Sequence, residues 1–247
     1  MLTAERFLSL VDHTLLAAGA TRRQVLELCA QAAGLGCHAV CVNGAWVATA
    51  RAALAPSPVR VCAVVGFPLG AMATAAKCCE ARVAVQDGAD EIDAVMSIGA
   101  LKGGDDPLVV AEVAALRASI PGDRTLKVIL ETALLADGEI RRACLAAQAG
   151  GAGFVKTSTG FDPAGGATVR AVRLMRRTVG PALGIKASGG IRTLAAAEAM
   201  IAAGATRLGL SGTLAILDEI HAAECGATPR RLERSPRHGR ARARVSA

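Results

Sequence analysis

Two stretches decide the reading: Gly153-Phe-Val-Lys156-Thr-Ser-Thr-Gly160 and Gly184-Ile-Lys186-Ala-Ser-Gly-Gly190. Each is a short β-like run that ends on a lysine and passes into a turn of small residues. Residues 168–178 between them have helical spacing, so the segment reads strand, helix, strand, as a parallel crossover requires. A lysine at a buried strand end is costly, because an ammonium loses its water there. Two of them side by side oppose each other's protonation. An uncharged amine is what attacks a carbonyl, so the pair points to Schiff-base chemistry.

The same pattern extends in both directions. Apolar runs recur at residues 10–15, 38–42, 61–65, 91–96, 126–130, 153–156, 183–187 and 207–210. Helix-like stretches follow them at 21–35, 45–53, 71–86, 107–119, 137–148, 168–178, 194–203 and 214–223. Asp106 before Pro107, Asp137 and Thr193 are expected to open three of these helices. Gly34, Gly88, Gly150 and Gly204 are expected to close four of them in the left-handed conformation. Eight strand–helix units predict an α/β fold of the (β/α)8 TIM-barrel type. A dinucleotide-binding sheet would carry Gly-x-Gly-x-x-Gly after an early strand, and none is present.

Polar residues gather at the strand C-termini, the face on which such barrels do chemistry. They include His13, Cys41, Asn43, Asp93, Glu131, Lys156, Lys186 and Ser211. Strand alternation turns Glu91 and Asp93 the same way and Ile92 the other. Asp93 then serves as a proton donor and acceptor or as a counter-ion, and Glu131 as a support for the network. Each lysine has a plainer reading, as a structural cation paired with Asp93 or Glu131 or as a phosphate ligand. Spacing alone does not decide which lysine forms the imine. For His13, a satisfied core position competes with a catalytic one. Gly189-Gly190 and Ser211-Gly212 lie in the seventh and eighth strand–helix loops, and Gly160 follows Lys156. Glycine-turn amides in those loops cradle phosphate, which predicts a phosphorylated substrate.

Composition bounds the rest. The net charge of +7 is concentrated after residue 227, where seven arginines stand against Glu233. The domains are therefore read as one barrel, 1–227, and a disordered basic tail, 228–247. A solubilising role for that tail is preferred to nucleic-acid binding. With a single tryptophan and no tyrosine, stacking on bases is a poor prospect. The eight cysteines have no CxxC spacing and read as reduced thiols. Without a signal-like block or a long apolar run, the expected setting is the cytoplasm, with no membrane partner. Histidines 13, 38, 221 and 238 form no metal motif, so neither metal nor cofactor is expected. A carboxylate-bound magnesium at Asp93 and Glu131 is the weaker alternative.

The chain resembles the deoxyribose-phosphate aldolase family over roughly residues 8–217. The segments that carry the likeness are Asp12-His-Thr-Leu-Leu, Ala39-Val-Cys-Val-Asn, Val65-Gly-Phe-Pro-Leu-Gly, Glu91-Ile-Asp-Ala-Val and Lys127-Val-Ile-Leu-Glu-Thr. Phe154-Val-Lys-Thr-Ser-Thr-Gly-Phe, Gly184-Ile-Lys-Ala-Ser-Gly-Gly-Ile-Arg and Arg207-Leu-Gly-Leu-Ser-Gly complete the series. The resemblance implies a class I aldolase that reversibly splits 2-deoxy-D-ribose 5-phosphate into D-glyceraldehyde 3-phosphate and acetaldehyde, in nucleoside catabolism. It assigns the imine to Lys156, the pKa-lowering partner to Lys186 and the proton shuttle to Asp93. Phosphate would fall to Gly160, Gly189, Gly190, Ser211 and Gly212, with Cys41, Glu131 and Thr159 supporting. It also implies a homodimer or homotetramer.

Departures from the family pattern are equally plain. Ala17-Ala18-Gly19 follows Leu16 where Lys-Pro is common, Gly44 replaces a proline, and Met72-Ala73-Thr74 replaces Asn-Thr-Thr. Only Ser211 remains of a usual Ser-Ser, and the C-terminal tyrosine of many members is missing. Catalysis is expected to persist on the lysine pair and Asp93, with slower turnover or an altered donor. The rival readings are another lysine-dependent aldolase, a sugar-phosphate isomerase, or a degraded aldolase acting as a binding protein.

Overall fold

The computed structural model describes residues 2–226, so the basic segment 228–247 lies outside the described residues. The chain runs α1 (Ala4–Leu8), β1 (Val11–Leu15), α2 (Arg22–Leu35), β2 (Ala39–Val42), α3 (Val47–Ala53), β3 (Arg60–Val65), α4 (Thr74–Gln86) and β4 (Glu91–Val95). It continues with α5 (Ile98–Lys102), α6 (Asp106–Ala118), β5 (Thr125–Ile129), α7 (Asp137–Ala149), β6 (Phe154–Lys156), α8 (Val169–Val179), β7 (Gly184–Ser188), α9 (Leu194–Ala202), β8 (Arg207–Leu210) and α10 (Thr213–Glu224). All strands are parallel and close in sequence order, β8 returning to β1 through Asp12 opposite Gly209. This is the (β/α)8 barrel.

Period-two alternation sorts the strand residues between two environments. Val40, Val42, Val61, Ala63, Ile92, Leu126, Val128, Val155, Ile185 and Leu208 pack outward into the core under the helices. Asp12, Cys41, Cys62, Glu91, Asp93, Lys127, Lys156, Lys186 and Arg207 are buried as well. They belong to the opposite face and meet one another inside the barrel.

Local signals set the helix ends, with a few shifts from expectation. Thr168 and Thr193 accept the amides of Ala171 (3.1 Å) and Ala196 (3.2 Å). The cap of α6 is Asp105, which accepts the Leu108 amide at 3.1 Å, and Asp106 already lies in the first turn. Asp137 likewise begins α7 rather than preceding it, because Ala136 takes the extended cap conformation. Among the helix closures, Gly88 and Gly204 are left-handed as expected, but the others fall at Gly36 and Gly151. Gly34 is still helical, and Gly150 keeps a right-handed conformation. α1 and α5 are five-residue helices that show no readable periodicity.

One buried ion pair stands outside the barrel. Lys77 on α4 donates to Glu112 on α6 at 2.6 Å and to the Val95 carbonyl at 2.9 Å. Glu112 also accepts the Ser97 amide at 2.7 Å. The C-terminal end of β4, just beyond Asp93, is therefore tied to two helices.

Candidate active site

Lys156 and Lys186 are register partners on β6 and β7, and Asp93 and Lys127 are partners on β4 and β5. Asp93 joins the four strands. Its Oδ2 accepts from Lys156 Nζ at 2.7 Å and from Lys186 Nζ at 2.8 Å. Its Oδ1 accepts from Lys127 Nζ at 2.8 Å and from the Cys62 thiol at 3.1 Å. Around this hub, Lys127 also meets Glu91 at 2.6 Å, and Lys186 pairs with Asp12. Arg207 donates to Asp12 at 2.8 Å and to Glu91 at 2.9 Å. Its guanidinium lies over the Phe154 ring.

Charge counting shows what this cluster is suited for. Three carboxylates (Asp12, Glu91, Asp93) face four cations (Lys127, Lys156, Lys186, Arg207), all but completely out of solvent. Arg60, half exposed, adds a fifth cation against Glu91 at the rim. Burial by itself would raise the Asp93 carboxyl, but Lys127, then Lys156 and Lys186, hold it well below the usual carboxylate range. Asp12 is lowered against the same burial effect by Lys186, Lys127 and Arg207. Burial would push the Lys186 and Lys127 amines down, and the carboxylates reverse that: Asp12 and Asp93 raise Lys186, and Asp93 foremost raises Lys127. Lys186 is thus a fixed ammonium beside Lys156. The like-charge argument from sequence operates here through carboxylates that keep one member of the pair charged.

Above the cluster a cavity of about 380 Å³ opens on the C-terminal face, with Lys156 in its lining. Gly160, Gly189, Gly190, Ser211 and Thr159 line it as well. Gly212 does not, and stands just before the first residue of α10. Asp93 and Lys186 lie beneath the cavity. Cys41 is fully buried opposite Cys62 in the β2–β3 register. Gly189 has φ +84°, and a Cβ there would come within 3.0 Å of Gly166 and 3.2 Å of Gly160. Two loops approach backbone to backbone at that point, beside the cavity.

Glu131, two residues beyond β5, takes a left-handed conformation, φ 55°, the only non-glycine with positive φ among the described residues. That backbone turns its carboxylate onto Thr159, accepting the hydroxyl at 2.5 Å and the amide at 3.2 Å. Thr159 in turn accepts the Phe161 amide at 3.1 Å. Burial raises the Glu131 carboxyl. Its work is to pin the loop after Lys156.

Other expectations resolve simply. His13 is hydrogen-bonded between Thr213 and Gln31, both at 2.9 Å, on the outer face of β1; it is a satisfied core histidine. Asn43 holds the Leu16 carbonyl at 3.1 Å. Cys41, Cys62 and Asp93 bring ligand atoms within 4.8 Å of one another, as do Asp12, Cys62 and Glu91. Ammonium and guanidinium groups already occupy those carboxylates, so a divalent ion would have to displace cations from a site already rich in them. Asp93 and Glu131 do not converge, since Glu131 is committed to Thr159.

Reading the sequence for lysines followed by glycine turns passed over Asp12, Glu91, Lys127 and Arg207 as members of the cluster, and Ser188 and Arg192 as cavity-lining residues. A signal for Lys127 was present: an ionic residue between Leu126 and Val128, in phase with the inward face.

Comparison with known proteins agrees with this geometry. The family model described as DeoC/LacD family aldolase matches residues 6–219. The deoxyribose-phosphate aldolase of Lactococcus lactis subsp. lactis is 51% identical over 84% of this chain and 94% of its own length. That of a Geobacillus species is 49% identical over 85% and 93%. Among solved structures, an aldolase called QR15 superposes with a TM-score of 0.83 at 37% identity, covering 89% of this chain and 97% of that one. The deoxyribose phosphate aldolase of Aeropyrum pernix, described as tetrameric, gives 0.83 at 29% identity over 90% and 93%. The inward ionic cluster, the cavity above it and these likenesses together make the chain a member of the DeoC/LacD aldolase family.

Proposed function

We propose that this chain cleaves 2-deoxy-D-ribose 5-phosphate reversibly into D-glyceraldehyde 3-phosphate and acetaldehyde through an imine on Lys156. The observation that carries this reading is the single Asp93 oxygen shared by Lys156 and Lys186 beneath an open cavity. Of the three barrel lysines, only Lys156 lines that cavity. Its amine attacks the C1 aldehyde of the open-chain sugar, and loss of water gives the iminium. Removal of the proton on the C3 hydroxyl breaks the C2–C3 bond and releases D-glyceraldehyde 3-phosphate. The bonding electrons pass into the iminium, which becomes the neutral enamine. Protonation at C2 and hydrolysis free acetaldehyde and restore the amine.

Asp93 and Lys186 sit where those protons must move. Asp93, held ionised, accepts, and Lys186, held as ammonium, donates. The chain has no tyrosine, so reprotonation of the enamine carbon falls to this pair. The phosphate is held by backbone amides around Gly160, Gly189 and Gly190, with Ser211 and the start of α10 at Gly212. Cys41 packs beside Cys62 as support for the cluster. We further propose one barrel domain bearing a basic tail, working in the cytoplasm as a homodimer or homotetramer. No described helix is long and apolar enough to cross a membrane.

The test is incubation with deoxyribose 5-phosphate and borohydride, followed by peptide mapping. A reduced adduct on Lys156 supports the assignment, and one on Lys186 exchanges the two roles. A folded protein that yields no adduct overturns the Schiff-base reading. Light scattering on the eluted protein reads the oligomer.

A further inference from the structure

Lys127 is fully buried, does not line the cavity, and is absent from the roles assigned above. Its amine nevertheless has the densest ionic surroundings in the barrel. Asp93 Oδ1 lies at 2.8 Å, Glu91 Oε2 at 2.6 Å, the Cys62 sulfur at 3.3 Å and Asp12 Oδ2 at 3.7 Å. Burial alone calls for acceptors on its three N–H donors; what these contacts add is that Lys127 divides Asp93 into two ends. Oδ1 is held from below by Lys127 and Cys62, which leaves Oδ2 to face both Lys156 and Lys186. Lys127 is also one of the four cations that leave three carboxylates outnumbered.

From these contacts we propose that Lys127 is a positioning residue for the aldol reaction: it aims Asp93 Oδ2 at the two site lysines, and its charge favours release of the proton the cluster holds in excess. The inference rests on the Schiff-base reading of Lys156. The groups facing the centre are Asp12 from β1, Cys41 from β2, Cys62 from β3, and Glu91 and Asp93 from β4. Lys156, Lys186 and Arg207 come from β6, β7 and β8, while His38 and Arg60 reach Glu91 from the rim. Removing one positive charge from that set stabilises the protonated form, so the nucleophile becomes available only at higher pH. The titration belongs to the cluster as a whole.

The test follows adduct formation with acetaldehyde and cyanoborohydride across pH in the full-length protein, alongside kcat/KM for cleavage. In K127M the acid limb is expected to move up by about one pH unit or more, a tenfold loss per unit at fixed pH below the limb. Activity should recover toward the alkaline side, and K127R should restore the limb. The double variant E91Q/K127M keeps one cation in excess and should return the limb toward the parent. Compared with E91Q alone, it repeats the measurement should K127M not fold. A uniform loss at every pH with an unmoved limb would mean that Lys127 is structural only, and overturns the proposal. If the parent protein forms no adduct on Lys156, the assignment of the imine to Lys156 fails, and with no adduct on Lys186 either the Schiff-base reading fails as a whole. If the parent is trapped normally and the limb does not move in the variants, only the role of Lys127 fails.

Discussion

Lys156 and Lys186 donate to one and the same oxygen, Oδ2 of Asp93, at 2.7 and 2.8 Å. Their nitrogens are therefore no farther apart than the sum of those two lengths. Such proximity is tolerable only with a full negative charge between them. In D93N the two ammonium groups meet across a neutral amide. We expect kcat to fall by roughly 10²–10⁴-fold, the range for a lost proton-transfer group. The acid limb should move to lower pH even as the rate drops, since an uncompensated ammonium sheds its proton more readily. Stability should fall by about 3–5 kcal/mol, the cost of leaving buried charge unpaired. A pH–rate profile and a urea titration check both.

Gly189 tests the loops proposed to hold the phosphate. Alanine there would have to adopt φ +84° and press on Gly166 and Gly160. G189A should raise KM for deoxyribose 5-phosphate by about tenfold or more while leaving cleavage of unphosphorylated deoxyribose nearly unchanged. One good charge-assisted contact is worth that much, about 1.5–3 kcal/mol. Equal losses on both substrates would show that the loops do not hold the phosphate.

The strained backbone of Glu131 can be separated from its carboxylate. E131A loses the hydrogen bonds to Thr159 and keeps the left-handed conformation. E131G loses the same bonds but relieves the backbone by about 1–2 kcal/mol. Glycine should therefore be the more stable of the two variants, contrary to its usual rank against alanine. Both should raise KM as the loop after Lys156 loosens. Denaturation midpoints read the order.

The cluster also predicts how stability responds to pH. Asp12 and Asp93 have lowered carboxyls, so between their folded and unfolded values the unfolded chain binds more protons. Their stabilisation is present above about pH 3.9 and is lost as pH falls below it toward the folded values. Lys127 and Lys186 are raised, so the native protein holds protons that the unfolded chain releases. Their contribution is complete below about pH 10.4 and declines as pH rises beyond that. The melting temperature should be flat near neutrality and fall on both sides. A steady rise through pH 11 would contradict the alkaline arm.

The barrel was legible because each strand is a local object: a short apolar run followed by a helix-like stretch, repeated eight times. Lys156 and Lys186 could be singled out because each stands shortly before a turn of small residues, and Asp93 because strand alternation turns it the same way as Glu91; of the three only Lys156 ends its strand, while Asp93 and Lys186 sit mid-strand. Asp12 and Arg207 were hidden, and Lys127 was marked only by its phase, because their importance comes from pairing with strands distant in sequence. Arg207 meets Asp12 over a sequence separation of 195, and no local pattern records that. Glu131 announced its residue type but not its conformation. Gly36 displaced Gly34 as the cap of α2 because the helix continues through Gly34 to Leu35 before it closes.

Asp12 stands near the start of the chain and takes its partners, Lys186 and Arg207, from the last two strands. The seam that closes the cylinder therefore runs through the ionic cluster under the cavity. A nascent polypeptide that has not yet delivered its final strand would leave Asp12 without Arg207, and water would follow into the gap. Ring closure and chemical competence arrive together, and turnover becomes a readout of whether the two ends of the fold have met.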